Sequence, residues 1–270
     1  MVSPECSIAA GFLDLPEKQL FHLLLSPTKC EVRGSILYLH PFAEEMHKSR
    51  RNVASMARAL AANGFIVMLP DLTGCGDGPG EFADADWDTW LEDAAAALAA
   101  LRTMWSLPLT VWGLRTGALL GCEVARREED VQRLVLWQPV LNGEQQIDQF
   151  LRLRSDAAAV DSQSGFDRKS LWGELREGRS LEIAGYELSS ALAMQMSKLR
   201  LFDLVPPCTV GWAEVSATAE FTLPSANVQA HWREQGVEIA DACVRGDAFW
   251  RNHDAAINTD LQKATMGMLG

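Results

Sequence analysis

The fold of this chain is decided by an apolar run that leads into two glycines and a series of small residues, Leu109-Thr110-Val111-Trp112-Gly113-Leu114-Arg115-Thr116-Gly117-Ala118-Leu119-Leu120-Gly121. The run is typical of a buried strand, and small or apolar residues then recur at helical spacing. Gly113 and Gly117 are placed where a strand that turns sharply into a helix needs residues without a side chain. Such a turn pushes the residue midway between the glycines into a pocket. Here that residue is Arg115.

The composition is that of a globular protein with a sizeable core, since 48% of the 270 residues are hydrophobic. The net charge of −12 disfavours nucleic acids and anionic membranes as partners. Six cysteines are scattered singly, without metal-site spacing, and are expected to be reduced thiols. No signal peptide is visible, and no apolar run reaches the roughly 18–20 residues of a membrane span. We therefore expect a cytoplasmic protein without cofactor or metal.

Predicted strands alternate with predicted helices along most of the chain, which indicates an α/β fold with a mostly parallel, doubly wound sheet. The predicted strands are 34–40, 65–69, 109–114, 134–137, 208–215 and 237–244, the predicted helices are 49–63, 84–104 and 224–235, and a hairpin is predicted within 8–25. Residues 142–205 interrupt the alternation and are predicted to form an inserted helical cap, with helices at 145–153 and 188–201. Residues 1–141 and 206–270 would form the core.

Two loops that follow the first buried strands support a more specific interpretation. His40-Pro41-Phe42-Ala43-Glu44 lies where α/β-hydrolases carry a His-Gly loop that helps to form the oxyanion hole. The second loop, Asp71-Leu72-Thr73-Gly74-Cys75-Gly76-Asp77, matches the D-x-x-G-x-G-x-S loop of lipase-like members. Together with the strand–turn–helix at 109–121, these loops stand in the order that predicts an α/β-hydrolase fold with an inserted helical cap.

Residues 36–140 resemble the serine-aminopeptidase and monoacylglycerol-lipase group of that fold. The segments 39–51, 71–77 and 112–115 more closely resemble the exosortase A system-associated hydrolases of type 2, which occur in bacteria beside exopolysaccharide genes and PEP-CTERM protein sorting. The resemblance implies hydrolysis of an ester, thioester or amide, with exopolysaccharide or protein-sorting machinery as a partner. It also implies that arginine at position 115 is a family trait.

The residues expected of a Ser-His-Asp mechanism are missing from the predicted positions. A serine normally stands where Arg115 does, and a protonated guanidinium cannot attack an acyl group. The triad acid should follow the strand that ends near 215, where Glu214 is the nearest carboxylate. The base should follow the last strand, where the first histidine is His253. His40, at the end of a strand, is either a structural hydrogen-bonding residue or a base that activates water.

Arg115 is also a candidate ligand-binding residue, because the N-terminus of the following helix favours anions. Either a ligand supplies the anion or a protein carboxylate does, and the carboxylates considered are Glu44, Glu45, Asp71 and Glu214. Thr116 would contribute its backbone N–H, and the loop with Phe42 and Glu44 would border the pocket. Aromatic rings that end or follow strands would line either the pocket or the core: Trp137, Trp212 and Trp250.

Three functions therefore remain open. The chain is a hydrolase that works without a serine nucleophile, with water activated by His40 or His253 and a carboxylate. Alternatively, it is a non-catalytic protein that binds a small anionic or acyl ligand at Arg115, in the pocket that serves as the active site of α/β-hydrolases. The third hypothesis is a structural or regulatory partner of the biosynthetic machinery.

Overall fold

The structure, a computed structural model, describes residues 5–158 and 168–270. Its strands are β1 (Cys6–Asp14), β2 (Gln19–Pro27), β3 (Gly34–Leu39), β4 (Phe65–Pro70), β5 (Leu109–Leu114), β6 (Val131–Trp137), β7 (Leu181–Ile183), β8 (Tyr186–Leu188), β9 (Thr209–Ser216) and β10 (Ile239–Arg245). Its α-helices are α1 (Glu44–Ala62), α2 (Trp87–Met104), α3 (Thr116–Arg127), α4 (Gly143–Ala158), α5 (Arg168–Arg176), α6 (Ser190–Ser197), α7 (Leu223–Glu234) and α8 (Thr259–Leu269). Short 3-10 helices lie at Phe82–Asp84 and Leu201–Asp203.

The central sheet has eight strands in the order β1-β2-β4-β3-β5-β6-β9-β10. β2 pairs antiparallel with β1 and with β4, and every other pairing in this sheet is parallel. β3 and β5, near the middle, are buried along their whole length because helices cover both faces. The mostly parallel, doubly wound sheet expected from the sequence is confirmed, and so is its N-terminal hairpin.

Two core layers lie on opposite faces of the sheet. One layer holds apolar residues of α1 and α8 together with Trp112 and Trp137. The other holds those of α2, α3, α7 and the segment between β6 and β9, and it includes Trp212. Side chains alternate between the faces of a strand, so neighbouring residues of β5 enter different layers. The site at the end of β5 is therefore supported by close packing on both sides.

The segment between β6 and β9 contains α4, α5 and α6 and the two-stranded hairpin β7–β8. Its two ends are joined to each other beside α4, where the N–H of Gly143 donates to the carbonyl of Leu199 at 3.0 Å. Residues 159–167 of the predicted cap lie outside the described residues. The ring of Phe150, on α4, lies 4.7 Å from the ring of Phe42. This segment thus covers the loop that follows β3.

Several elements differ from the sequence prediction, which did not include helix α5. Helix α1 begins at Glu44, so Glu44 and Glu45 form its first turn instead of belonging to a loop. Two carboxylates in a first turn interact favourably with the helix dipole, which explains the early start. Helix α8 and the β7–β8 hairpin were not predicted. The sequence does contain a start signal for α8, since the side chain of Asn258 accepts the N–H of Leu261 at 2.9 Å.

Candidate functional site

The turn between β5 and α3 has the backbone of a nucleophile elbow. Arg115 occupies the apex with φ 56° and ψ −116°, a conformation that is strained for a residue with a side chain. A Cβ on Gly113 would lie 2.3 Å from the carbonyl oxygen of Gly117, and a Cβ on Gly117 would lie 2.0 Å from that of Leu39. Both glycines are therefore required for the helix to start so close to β3. The elbow is formed around an arginine.

The guanidinium of Arg115 is neutralised inside the protein by Glu45. Its Nε lies 3.2 Å from both carboxylate oxygens, and its Nη2 lies 3.1 Å from Oε1. Nη2 also donates to Oε1 of Gln146 on α4 at 2.9 Å. The side chains of Arg115 and Glu45 are only 10% and 9% exposed. Of the four carboxylates considered for Arg115, Glu45 is the one that pairs with it.

This ion pair joins the first turns of two helices. Glu45 lies in the first turn of α1, where the helix dipole favours a negative charge, whereas Arg115 precedes α3, where the dipole disfavours a positive one. The guanidinium carbon of Arg115 also lies 5.4 Å from the ring centroid of Trp250, within the range of a cation–π contact. Carboxylate and ring together offset the unfavourable position of the arginine.

Thr116, next to the apex, does not point a reactive hydroxyl into open space. Its side chain is 2% exposed, and Oγ1 has no hydrogen-bond partner among the described residues. Its backbone N–H belongs to the first residue of α3 and so has no acceptor within the helix. The assignment of this N–H group to ligand binding stays a prediction.

His40 is a buried structural residue in this arrangement. Its Nδ1 lies 2.8 Å from the carbonyl of Pro41, and its Nε2 accepts the N–H of Leu72 at 3.3 Å. Because Nε2 is an acceptor, the proton of the neutral ring belongs on Nδ1. Burial lowers the pKa of His40 below its usual value. With both nitrogens engaged, the ring has no free position from which to activate water.

Glu214 and His253 do not form the acid–base pair of a triad. Glu214 lies within β9, is 3% exposed and accepts the indole N–H of Trp212 at 2.7 Å. Burial raises the pKa of Glu214 above its usual range. His253 is exposed in the turn after β10, and no hydrogen bond connects it to Glu214 or to His40 in the part of the chain described. The three candidate catalytic residues are therefore separate.

The three tryptophans have different surroundings. Trp137 is 1% exposed and donates its indole N–H to Oγ1 of Thr265 at 2.8 Å, in the α8 layer. Trp212 is 0% exposed and packs edge-on against Trp232, with centroids 5.5 Å apart. Neither ring is left with surface for a ligand, so of the two alternatives, pocket or core, both rings belong to the core. Trp250 is the one that reaches the elbow.

A cleft of about 350 Å³ opens beside the Arg115–Glu45 pair, and we call it the elbow cleft. Phe42, Glu44 and Glu45 border it on one side, and Gln146 and Phe150 of α4 on the other. Three cationic side chains also border it: Lys48, Arg152 and Arg251.

Lys48, Arg251 and Glu44 in the elbow cleft have weak hydrogen-bond or ionic partners, or none, among the described residues. Lys48 approaches Glu44 only to 3.9 Å. The guanidinium of Arg251 makes no hydrogen bond or ion pair with the residues described. Oε2 of Glu44 is buried without a partner among them, and burial raises the pKa of this carboxyl. The cleft thus offers one carboxyl that binds protons more readily than usual and cations that can receive an anion.

Sequence reasoning missed several of these residues. It placed Phe42, Glu44 and Arg115 at the site but not Gln146 or the three cations. A signal for Gln146 existed, because it is four residues before Phe150 on a predicted helix, so both share a helix face. Lys48, Arg152 and Arg251 come from three separate elements, and only the folded chain brings them together.

Two features are absent from residues 5–158 and 168–270, a metal-binding cluster and a membrane-spanning helix. No group of three or more histidine, cysteine, aspartate or glutamate side chains is placed to hold a metal ion. No helix in those ranges is long and apolar enough to cross a bilayer.

Comparison with known proteins supports the fold. The family profile described as serine aminopeptidase, S33, matches residues 31–171. Est1E from Butyrivibrio proteoclasticus with bound ferulic acid superposes with a TM-score of 0.70 at 17% identity, covering 96% of this chain and 98% of that one. DcsB in complex with a substrate analogue gives 0.65 at 13%, covering 97% and 99%. The thioesterase domain from the curacin biosynthetic pathway gives 0.58 at 14%, covering 98% and 100%. No functionally curated protein sequence matches.

Proposed function

The chain belongs to the serine aminopeptidase, S33, family and has the α/β-hydrolase fold. From that premise we propose that it binds a carboxylate ligand in the elbow cleft and does not hydrolyse esters by a serine mechanism. The observation that carries the proposal is the apex of the elbow. There an arginine paired with Glu45 stands where a nucleophile would be. This is the non-catalytic hypothesis of the sequence analysis with one change. The anionic group of the ligand pairs with the cations that border the elbow cleft and not with Arg115 itself.

The chemistry of acyl transfer explains why turnover is not expected. It requires a nucleophile, a base within hydrogen-bond reach of it and donors for the oxyanion. Arg115 cannot attack, and the ring of Trp250 lies beside it. The candidate base His40 has both ring nitrogens engaged. Of the three requirements, the chain retains a donor, the free N–H of Thr116.

The charges around the elbow cleft favour an anion as ligand. Lys48, Arg152 and Arg251 border it together with Glu44 and Glu45, in a protein whose net charge is −12. A local excess of positive charge on an acidic protein attracts and orients an anionic group. Arginine side chains bind carboxylates through paired hydrogen bonds. Arg115 contributes by fixing Glu45 and Gln146 in the cleft wall.

The apolar part of the ligand would contact the aromatic wall. Phe42 and Phe150 pack edge-to-face at 4.7 Å and border the cleft. Such rings suit an aromatic or acyl group next to the carboxylate. The resemblance to exosortase A system-associated hydrolases suggests that the ligand comes from exopolysaccharide or protein-sorting metabolism. A partnership with that machinery and a cytoplasmic location remain predictions.

The proposal is tested with ferulate, an aromatic carboxylate, and its methyl ester. We expect saturable ferulate binding by calorimetry and no release of ferulate from methyl ferulate. Arg251→Ala should weaken ferulate binding about fivefold or more, the loss of one charge-assisted hydrogen bond. Arg126→Ala, an exposed arginine at the far end of α3, is the matched control and should bind as the wild type does. Steady turnover by the wild type, or equal binding by Arg251→Ala, would overturn the proposal.

A second function is favoured by one specific observation, the state of Glu44. Burial raises its pKa, and Oε2 faces no partner among the described residues. A carboxylate with a raised pKa is a better general base for a water molecule, so ester, thioester or amide hydrolysis without a nucleophilic serine would depend on Glu44. Here the wild type would hydrolyse methyl ferulate and Glu44→Gln would not. Turnover that survives Glu44→Gln would exclude this mechanism.

A further inference from the structure

A second cavity lies on the opposite side of α1 from the elbow cleft. It measures about 360 Å³, and we call it the hairpin cavity because β2 of the N-terminal hairpin forms one wall. Ligand pockets start at about 300 Å³, so it is large enough for a small molecule. Its walls are mostly apolar and come from four elements: Phe21 and Leu23 of β2, Tyr38 of β3, Leu69 of β4, and Met46 and Val53 of α1.

One end of the hairpin cavity is charged, with both signs present. Arg50 lies there on α1, and Asp71 and Asp77 lie there on the loop after β4. Oδ2 of Asp71 accepts the N–H of Asp77 at 2.9 Å, which holds the two acidic residues together. The guanidinium of Arg50 makes no hydrogen bond or ion pair with the described residues, although Arg50 and Asp71 both influence the pKa of Tyr38 and of His40. A cation and an acidic pair therefore share one end of an apolar cavity.

This arrangement limits the head group that the cavity can accept. A carboxylate alone would gain Arg50 but meet Asp71 and Asp77, and an ammonium alone would gain the acidic pair but meet Arg50. A head group that carries both charges can pair with both sides. An uncharged ligand would leave the charges without new partners.

We propose that the hairpin cavity binds a zwitterionic amphiphile, an α-amino acid with a long apolar side chain being the simplest form. The ammonium group faces Asp71 and Asp77, the carboxylate faces Arg50, and the alkyl chain lies against Phe21, Leu69 and Val53. This site is separate from the elbow cleft, because Arg50 and Val53 project from α1 into one space while Lys48 and Glu45 border the other.

The test compares three eight-carbon probes that differ only in the head group: 2-aminooctanoate, octanoate and octylammonium. Calorimetry on the full chain should give saturable binding of one 2-aminooctanoate, with the other two at least about fivefold weaker, as expected when an exposed ion pair is lost and a like charge is met. Arg50→Gln should weaken 2-aminooctanoate binding about fivefold and strengthen octylammonium binding. Arg51→Gln, an exposed neighbour outside the cavity, is the matched control and should change neither affinity.

A second variant tests the apolar part independently. Ala54→Phe places a ring in the cavity and should abolish 2-aminooctanoate binding, whereas Ala59→Phe, on the same helix but outside the cavity, should preserve it. Circular dichroism shows whether each variant is folded. If Ala54→Phe fails to fold, Arg50→Gln and Arg51→Gln decide the question. The proposal is overturned if no probe binds, if octanoate or octylammonium binds as tightly as 2-aminooctanoate, or if folded Ala54→Phe binds unchanged.

Discussion

The buried ion pair between Arg115 and Glu45 leads us to predict a large loss of stability when one partner is removed. In Glu45→Gln the carboxylate is replaced by an amide of nearly the same shape, so that Arg115 keeps its charge but loses its counter-ion. Breaking a buried pair by removing one partner typically costs about 3–5 kcal/mol. Both side chains are at least nine-tenths buried, so water screens the pair little. Gln146, at 2.9 Å, and the ring of Trp250, at 5.4 Å, remain as partners. We therefore expect a loss near the lower limit, about 3 kcal/mol.

Urea unfolding of the wild type, Glu45→Gln, Arg115→Met and the double variant measures this effect. The double variant removes both charges and therefore leaves no lone buried ion. Its loss of unfolding free energy should be less than the sum of the losses in the two single variants. Glu44→Gln is the matched control one residue away, since Glu44 does not pair with Arg115 and its ion pair with Lys48 is long, at 3.9 Å. It should lose less than about 1 kcal/mol. A loss below about 1 kcal/mol for Glu45→Gln, or strict additivity in the double variant, would refute the reasoning.

Three further predictions follow from the elbow and its surroundings. Gly117→Ala should lose at least about 3 kcal/mol of unfolding free energy, measured by urea unfolding, because its Cβ would lie 2.0 Å from a backbone oxygen. The control Gly173→Ala, in α5 with open space around it, should gain about 0.5–1 kcal/mol. The unfolding free energy should fall as the pH falls below about 6.5, because unfolded His40 binds a proton there that the buried ring excludes, and His40→Gln should flatten that part of a pH series. Arg115→Ser should release no ferulate from methyl ferulate above the buffer rate, because a serine without a base is not activated; restored turnover would show that a base is present.

The elbow and the sheet were predictable because their signals are local. Two glycines around an apex after a buried strand specify the turn by backbone sterics alone. In the structure, neighbouring backbone carbonyls leave no room for a Cβ at positions 113 and 117, which is why both residues must be glycine. The apex residue was likewise read directly from the sequence. The fold therefore follows from short segments and their order.

The partner of Arg115 was not predictable, because four carboxylates were possible. Which of them faces the guanidinium depends on where α1 begins, and α1 begins earlier than the apolar periodicity indicated. The start at Glu44 turns Glu45 towards the elbow. The tryptophans illustrate a similar limit, because the end of a strand is both the edge of the pocket and the edge of the core. Only packing distinguishes Trp250 from Trp137.

The β7–β8 hairpin was missed for a different reason. Its strands have three residues each, too short for an alternating pattern to be recognised. Its turn is Ala184-Gly185, with φ of 50° and 83°. Two-residue turns with positive φ at both positions favour Asn-Gly, Asp-Gly or Gly-Gly, so alanine in the first position gave no signal.

The most direct test of the central claim is one proton NMR sample that contains the wild-type protein, ferulate and methyl ferulate. Saturation transfer from protein to ferulate reports binding, and the methanol signal reports hydrolysis of the ester. Our account predicts transfer to ferulate that is reduced in Arg251→Ala, together with a methanol signal that stays at the level of a sample without protein. Methanol that accumulates in proportion to the protein concentration, with no transfer to ferulate, would contradict it.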